Sequence, residues 1–372
     1  MNVKNLVRPW LHSLEPYPPG KPIDELEREY GVTDSIKLAS NENPLGPSPK
    51  ALVAVRAAVA DVHRYPDGSC YHLRRALARK LRVAPEALLF GNGSNELIEL
   101  IVRTFLHAGE EAVMADQAFV IYRMLVQSQG GRGLVVPLRN FTHDLEAMAE
   151  AITPATRLVF LANPNNPTGT IFFREQWEEF LAVLPRDVIV VMDEAYAEFV
   201  EDVRYPDALA DLHGNHLLII LRTFSKIYGL AGLRVGYGIA HPDIIELLNR
   251  LRAPFNVNTL AQVAALAALD DDAHVERTRQ VNREGMAYLR EAFDALGLEH
   301  VPSWANFILV KVGNAAHLYD ALLRRGVIVR PVPVYGFPEH VRVTVGTRAE
   351  NERLIRALTQ VVQPREGRGI AV

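Results

Sequence analysis

The chain has 372 residues, 49% hydrophobic and 23% charged, with 40 lysines and arginines against 44 aspartates and glutamates. That length predicts two domains, and a net charge of −4 argues against nucleic acid as a partner. The single cysteine, Cys70, excludes an internal disulfide and fits a reducing compartment, the cytoplasm. Pro9 interrupts the N-terminal "MNVKNLVRPW" and no long apolar run follows, so neither a signal peptide nor a membrane anchor is expected. Histidines are scattered without ligand spacing, so no metal site is expected.

Residues 1–35 are proline-rich and irregular apart from a helix over "IDELEREY", and read as an arm lying over something else. Next, "LLFGNGSNELIELIVRTFL" reads as a strand ending at Gly91. A helix follows it, with Leu97, Ile98, Ile101, Val102 and Phe105 on one face. "RLVFLA" (157–162), "VIVVM" (188–192) and "HLLIIL" (216–221) are near-continuous apolar strands, as in a parallel sheet covered by helices on both faces. "REQWEEFLAVL" supplies the helix between the first two. This alternation predicts a large α/β domain with a mostly parallel sheet, over residues 36–265.

Residues 266–372 read differently. A charged helix over 270–296 leads to a strand "NFILVKV", a helix "AAHLYDALLRRG" and strands "VIVRPV" and "VRVTVG". A capping box, Thr347 to Glu350, opens the last helix. The pattern predicts a smaller α+β domain with antiparallel pairing, joined by part of the N-terminal segment, and a frayed tail "PREGRGIAV".

Ligands of open α/β sheets bind beyond the carboxyl ends of the strands. There "NPNNPTG" brings Asn166, "DEAY" brings Asp193 and Tyr196, and "RTFSK" brings Ser225 and Lys226. "GNGSNE" offers a helix N-terminus whose Ser94 and Asn95 N–H groups suit an anion; Glu96 stands where a dinucleotide fingerprint needs its third glycine. Singly, each of these is ordinary: a turn, a helix cap, a surface amine. Together they match one molecule. A lysine amine suits an aldehyde, a carboxylate suits a protonated ring nitrogen, and a phenol and an amide suit a ring hydroxyl. Arg234, Ser225 and the Ser94–Asn95 amides suit a phosphate. Pyridoxal 5′-phosphate carries all four groups.

"NPNNPTG", "DEAY" and "SKIYGLAGLRVGY" resemble, in order and spacing, the fold-type I pyridoxal-phosphate aminotransferases. "LASNENPLGPSP", "RYPDGSCYHLRRALA", "PFNVNTLAQVAALAAL" and "VRVTVGTRAENERLIRAL" narrow the resemblance to the histidinol-phosphate aminotransferase family over nearly the whole chain. The resemblance implies a PLP transferase type I fold with a seven-stranded-type sheet, and a homodimer. It implies transfer of an amino group between histidinol phosphate and 2-oxoglutarate, yielding imidazole-acetol phosphate and glutamate, in histidine biosynthesis. Lys226 would be the Schiff-base lysine and proton shuttle, Asp193 the pyridine-nitrogen partner, and Asn166 and Tyr196 the contacts to the 3-hydroxyl. Tyr122 would stack on the ring. Thr223, Ser225, Arg234 and the Ser94–Asn95 backbone would hold the phosphate, with Tyr65 reaching in from a second subunit. Arg342 would grip the glutamate carboxylate, and Tyr17, Arg330 and Arg342 would face the phosphate of histidinol phosphate. Two positions depart from the branch: Cys70, and Val334 before the tyrosine of "PVPVYGFP". An apolar Val334 near the pocket would admit aromatic amino acids, so an aromatic aminotransferase is the alternative.

Overall fold

The computed structural model describes residues 3–362, so the tail "PREGRGIAV" lies outside them. The strands are β1 (Ile36–Lys37), β2 (Leu88–Gly91), β3 (Glu111–Ala115), β4 (Arg132–Val136), β5 (Thr156–Ala162) and β6 (Ile189–Asp193). They continue with β7 (Leu217–Thr223), β8 (Gly236–Ala240), β9 (Phe307–Lys311), β10 (Val327–Ile328), β11 (Arg330–Val332) and β12 (Phe337–Thr344).

Seven strands form the central sheet in the order β2-β8-β7-β6-β5-β3-β4. Strands β3 to β7 are mutually parallel, and β8 runs antiparallel to both its neighbours. Helices cover both faces, which is why β5 and β6 are apolar at successive positions. Val159, Leu161, Val190 and Met192 enter one core, and Leu158, Phe160, Ile189 and Val191 the other. Strands β3, β4 and β8 do not stand out in the sequence. They are short and carry a charge or glycines: Glu111 is buried beside Arg132, and β8 has Gly236 and Gly238.

Register sets the ends of the strands level. Ala162 pairs with Asp193, and Gly236 pairs with both Thr223 and Gly91. The segments after β2, β5, β6 and β7 therefore emerge along one edge of the sheet.

A three-stranded antiparallel sheet, β11-β12-β9, packs with the helix Asp272–Ala295 and the last helix, Arg348–Val361. The capping box is formed: Glu350 accepts from Thr347 N–H at 2.7 Å, and Thr347 Oγ accepts from Glu350 N–H at 3.4 Å. The single strand expected over "VIVRPV" is divided. Val327–Ile328 pairs in parallel with β1, and Arg330–Val332 turns to β12. Leu38, just past β1, buries in the same core as Val327 and Val343. The N-terminal segment lies against the rest of the chain: Trp10 Nε1 donates to the Ser128 carbonyl at 3.0 Å, and Leu26 is buried with Ala39 and Leu323.

Candidate active site

Beyond the level edge of the central sheet lies a cavity of about 300 Å³. Thirteen of the fourteen site residues expected from sequence line it: Tyr17, Ser94, Asn95, Tyr122, Asn166, Asp193, Tyr196, Thr223, Ser225, Lys226, Arg234, Arg330 and Arg342. The exception is Tyr65. It is 84% exposed and stacks on Phe255 with ring centroids 4.9 Å apart, outside the cavity of its own chain.

Lys226 follows β7 and points inward, donating to the Ser40 carbonyl at 3.1 Å, with its ammonium 5.5 Å from the Tyr196 ring. Burial, and then the positive field of Arg342, lower its pKa to about 7. Such an amine is largely a free base just above neutrality. Asp193, the last residue of β6, is 6% exposed. Burial raises its pKa to about 6 against the opposing hydrogen bonds from Tyr122 Oη (2.7 Å) and Ala195 N–H (3.1 Å). The adjacent Glu194 is taken by Arg222 in a buried pair at 2.8 Å, so of the two carboxylates in "DEAY" only Asp193 serves the cavity.

The anion cradle is built by close approach. The helix Ser94–Phe105 starts at Gly93, which has φ +78° and offers no side chain to cap the first N–H groups. A Cβ on Gly93 would lie 2.4 Å from Arg234 Nη2, and one on Gly236 would lie 2.7 Å from Ser94 N. Glycine is thus required where the guanidinium and the next strand meet the helix end. Arg234 Nη1 donates to Ser225 Oγ at 3.4 Å, and Ser225 N–H donates to Thr223 Oγ1 at 3.1 Å. Amides, hydroxyls and one guanidinium so converge where a phosphate would be held.

The opposite wall comes from the small sheet and the N-terminal segment. Arg342 is 6% exposed; it donates to Asn166 Oδ1 at 2.5 Å and to the Ala39 carbonyl at 2.7 Å, while its Nε has no partner among the described residues. Arg330 is its register partner across β11 and β12, donates to the Pro18 carbonyl at 2.7 Å and lies over the Tyr17 ring. Among the described residues neither arginine has a carboxylate partner. Two cations placed side by side destabilise each other unless an anion joins them.

Three expectations need correction or addition. Tyr122 does not offer its ring to a ligand's face as expected: it is stacked on Phe160 at 4.8 Å, and its hydroxyl is committed to Asp193. Phe119, edge-on to Tyr122, is the other aromatic on that wall. Val334 is 46% exposed and does not line the cavity, so the expected apolar contact is absent. Asn41, which no sequence argument singled out, is 1% exposed and donates to Tyr196 Oη at 2.9 Å. Ser40, Asn41 and Glu42 lie in "LASNENPLGPSP", but the segment follows only the two-residue β1, so no apolar strand marks its position.

The family model described as aminotransferase class I and II matches residues 33–358. The chain belongs to that family. It is 54% identical over 352 residues to the histidinol-phosphate aminotransferase of Moorella thermoacetica, covering 94% of this chain and 91% of that one. Identity to histidinol-phosphate aminotransferase 1 of Nitrosococcus oceani is 51%, over 95% and 96% of the two chains. Among solved structures, the histidinol-phosphate aminotransferase of Sinorhizobium meliloti in complex with pyridoxal-5′-phosphate superposes with a TM-score of 0.88 at 30% identity, over 96% of this chain and 97% of that one. An aspartate aminotransferase from Thermus thermophilus superposes with a TM-score of 0.81 at 26% identity, over 95% and 99%.

Proposed function

We propose that this protein is a histidinol-phosphate aminotransferase: it moves the amino group of histidinol phosphate to 2-oxoglutarate, as a step of histidine biosynthesis. One observation carries the reading. A single cavity holds a near-neutral lysine, a buried carboxyl and two separate clusters of anion donors, one at Arg234 and one at Arg330 and Arg342. A cofactor phosphate needs one cluster, and a substrate phosphate or carboxylate needs the other.

The residues fit pyridoxal 5′-phosphate: the Gly93–Ser94 cradle has room only for backbone beside Arg234, and Asp193 is the carboxyl for a ring nitrogen. Bound there, the cofactor supplies an aldehyde that takes up the donor's amino group and a ring that accepts electrons. The chain supplies the rest. Lys226 Nζ removes the donor's α-proton and returns it, which its lowered pKa permits near neutrality. Asp193 holds a proton on the ring nitrogen, and Tyr122 and Ala195 N–H fix the carboxylate that does so. Tyr196, oriented by Asn41, and Asn166, oriented by Arg342, address the ring hydroxyl. Phe119, which lines the cavity edge-on to Tyr122, would cover the ring face. Arg342 Nε is buried without a hydrogen-bond partner among the described residues.

The chain acts as a homodimer in this reading. Leu52, Val53, Val62, Tyr65 and Phe255 are apolar side chains left exposed, and Tyr65 is free to reach a neighbouring cradle. The division into an arm (1–35), a large domain (36–265) and a small domain (266–372) is kept, with Ile36–Leu38 going with the small one. We place the protein in the cytoplasm, in keeping with one unpaired cysteine; no helix among the described residues is long and apolar enough to cross a membrane.

The test is a parallel assay of the purified, cofactor-loaded protein with histidinol phosphate and phenylalanine as amino donors. Histidinol phosphate is the expected better donor; a strong preference for phenylalanine would overturn the reading. Support for the aromatic alternative rested on Val334, and Val334 does not face the cavity.

A further inference from the structure

Asn41 is buried, and each of its polar atoms has a partner. Its N–H donates to Thr344 Oγ1 at 2.9 Å, and its carbonyl accepts from Asn306 Nδ2 at 3.1 Å. In the side chain, Oδ1 accepts from Thr344 Oγ1 at 3.1 Å, and Nδ2 donates to Tyr196 Oη at 2.9 Å. The backbone at Asn41 is left-handed, with φ +55°, a conformation that asparagine tolerates and these bonds hold. Thr344 is the last residue of β12, two beyond Arg342 and on the same face of the strand.

The direction of these bonds decides where the tyrosine's proton goes. Thr344 Oγ1 receives the Asn41 N–H and gives its own proton to Oδ1, so the amide turns its oxygen to β12 and its NH2 to Tyr196. An amide NH2 group only donates. Tyr196 Oη therefore accepts from Asn41, and nothing among the described residues accepts from Tyr196 Oη in return. Its proton is left for the cavity that Tyr196 lines, where the ring oxygen of pyridoxal phosphate would be held. With the amide turned over, Asn41 would present an oxygen, and the phenol would donate to that instead.

We propose that Thr344 is a positioning residue: by fixing which end of the Asn41 amide meets Tyr196, it commits the phenol's proton to the cofactor's ring oxygen. A donor there favours the anionic ring oxygen, so the nitrogen that joins Lys226 to the cofactor loses its proton at lower pH. The small sheet in this way tunes a cofactor held by the large one. The inference rests on the pyridoxal-phosphate assignment and is independent of which amino donor the enzyme prefers. Asp193 and Arg342 are the charged groups acting on Tyr196, whose ring also lies 5.5 Å from the Lys226 ammonium. Glu42 and Arg234 act with them on Lys226, and the variants below leave all of these in place.

Thr344→Val keeps the size of the side chain and removes its hydroxyl; Thr344→Ser keeps the hydroxyl. Each variant is loaded with pyridoxal phosphate, and its visible absorbance is titrated from about pH 5 to 10. Thr344→Val should raise the midpoint by about one unit and lower turnover about tenfold, with KM for the amino donor changed less than about threefold. Thr344→Ser should stay within about 0.3 units of wild type. A purely structural hydroxyl would lower stability and leave the midpoint in place. An unmoved midpoint in Thr344→Val, or one moved equally in Thr344→Ser, therefore overturns the proposal. Crystals of the wild-type protein with pyridoxal phosphate read the geometry without a variant. Tyr196 Oη should lie within about 3 Å of both Asn41 Nδ2 and the ring oxygen, and an Oη out of reach of either refutes the assignment. A wild type that gains no pH-dependent visible absorbance sinks the cofactor assignment itself. A wild type that gains it, beside an unmoved Thr344→Val, sinks only this inference.

Discussion

The two walls of the cavity are built in different ways. On the sheet wall, Asp193, Thr223 and Ala162 end apolar strands whose register sets them level, and Ser225 and Lys226 follow within three residues. On the other wall, Tyr17 and Asn41 come from the N-terminal segment and Arg330 and Arg342 from β11 and β12, and hydrogen bonds spanning 312 and 303 residues of chain join the two groups. Two cores clamp the first wall from both faces of its sheet. The second wall rests on a separate core behind the small sheet, and hydrogen bonds tie it to the N-terminal segment. In the proposed reading, chemistry sits on the sheet wall and substrate choice on the other.

The largest effect should come from the sheet wall. Lys226→Ala should lower turnover by about 10³-fold or more, because no other amine lines the cavity to carry the proton. Steady-state assays check this, and turnover within tenfold of wild type would break the comparison. In the wild type, the cofactor-free protein should capture pyridoxal phosphate faster as pH rises through about 7, levelling off roughly a unit above, since the unprotonated amine is the nucleophile. Absorbance stopped-flow across pH 5–9 measures it.

Asp193→Asn should cost roughly 10²–10³-fold in turnover, yet make the cofactor-free protein more stable. The folded carboxyl has its pKa raised to about 6 from 3.8, so the native state holds the extra proton between those values. Stability accordingly falls as pH rises through that window and stays low above it. The variant escapes this penalty. Its gain should be on the order of 2–3 kcal/mol at pH 8 and should vanish below about pH 4. Denaturant melts at both ends of the range decide it; a variant less stable than wild type at pH 8 contradicts the assigned burial cost.

The substrate wall should respond more gently and unevenly. Arg342→Gln removes a buried cation that also anchors Asn166 and the Ala39 carbonyl, so kcat/KM should fall about 10²-fold with both substrates. Arg330→Gln, more exposed and tied to the Pro18 carbonyl and the Tyr17 ring, should cost about tenfold and mainly with histidinol phosphate. Finding the reverse order would dissolve the distinction between an anchoring and a reading arginine. Smallest of all, Val334→Ser should change donor preference by less than about twofold, because that side chain faces solvent.

How legible each part was follows from the same contrast. Strands β5, β6 and β7 are apolar on both faces, so their carboxyl ends, and the residues just after them, could be read directly. Strands β3, β4 and β8 could not, since Glu111, Arg132 and two glycines dilute the pattern. Asn41 was invisible because its burial depends on Thr344 and Asn306, which lie 303 and 265 residues away. For Tyr122, the motif named a residue that lines the cavity but not which way its ring faces. Only packing on Phe160 and the hydrogen bond to Asp193 decide that. "VIVRPV" read as one strand because period and composition do not register a change of partner at Val329.

By itself the sequence determined the class of fold, the cofactor chemistry and the order of the motifs, because hydrophobic periodicity and turn residues act over a few neighbours. Only the tertiary structure decided that the Tyr122 ring packs on Phe160, that Arg330 stands opposite Arg342, and that Val334 faces outward. Those outcomes depend on strand register and burial, which are properties of contacts between segments distant along the chain.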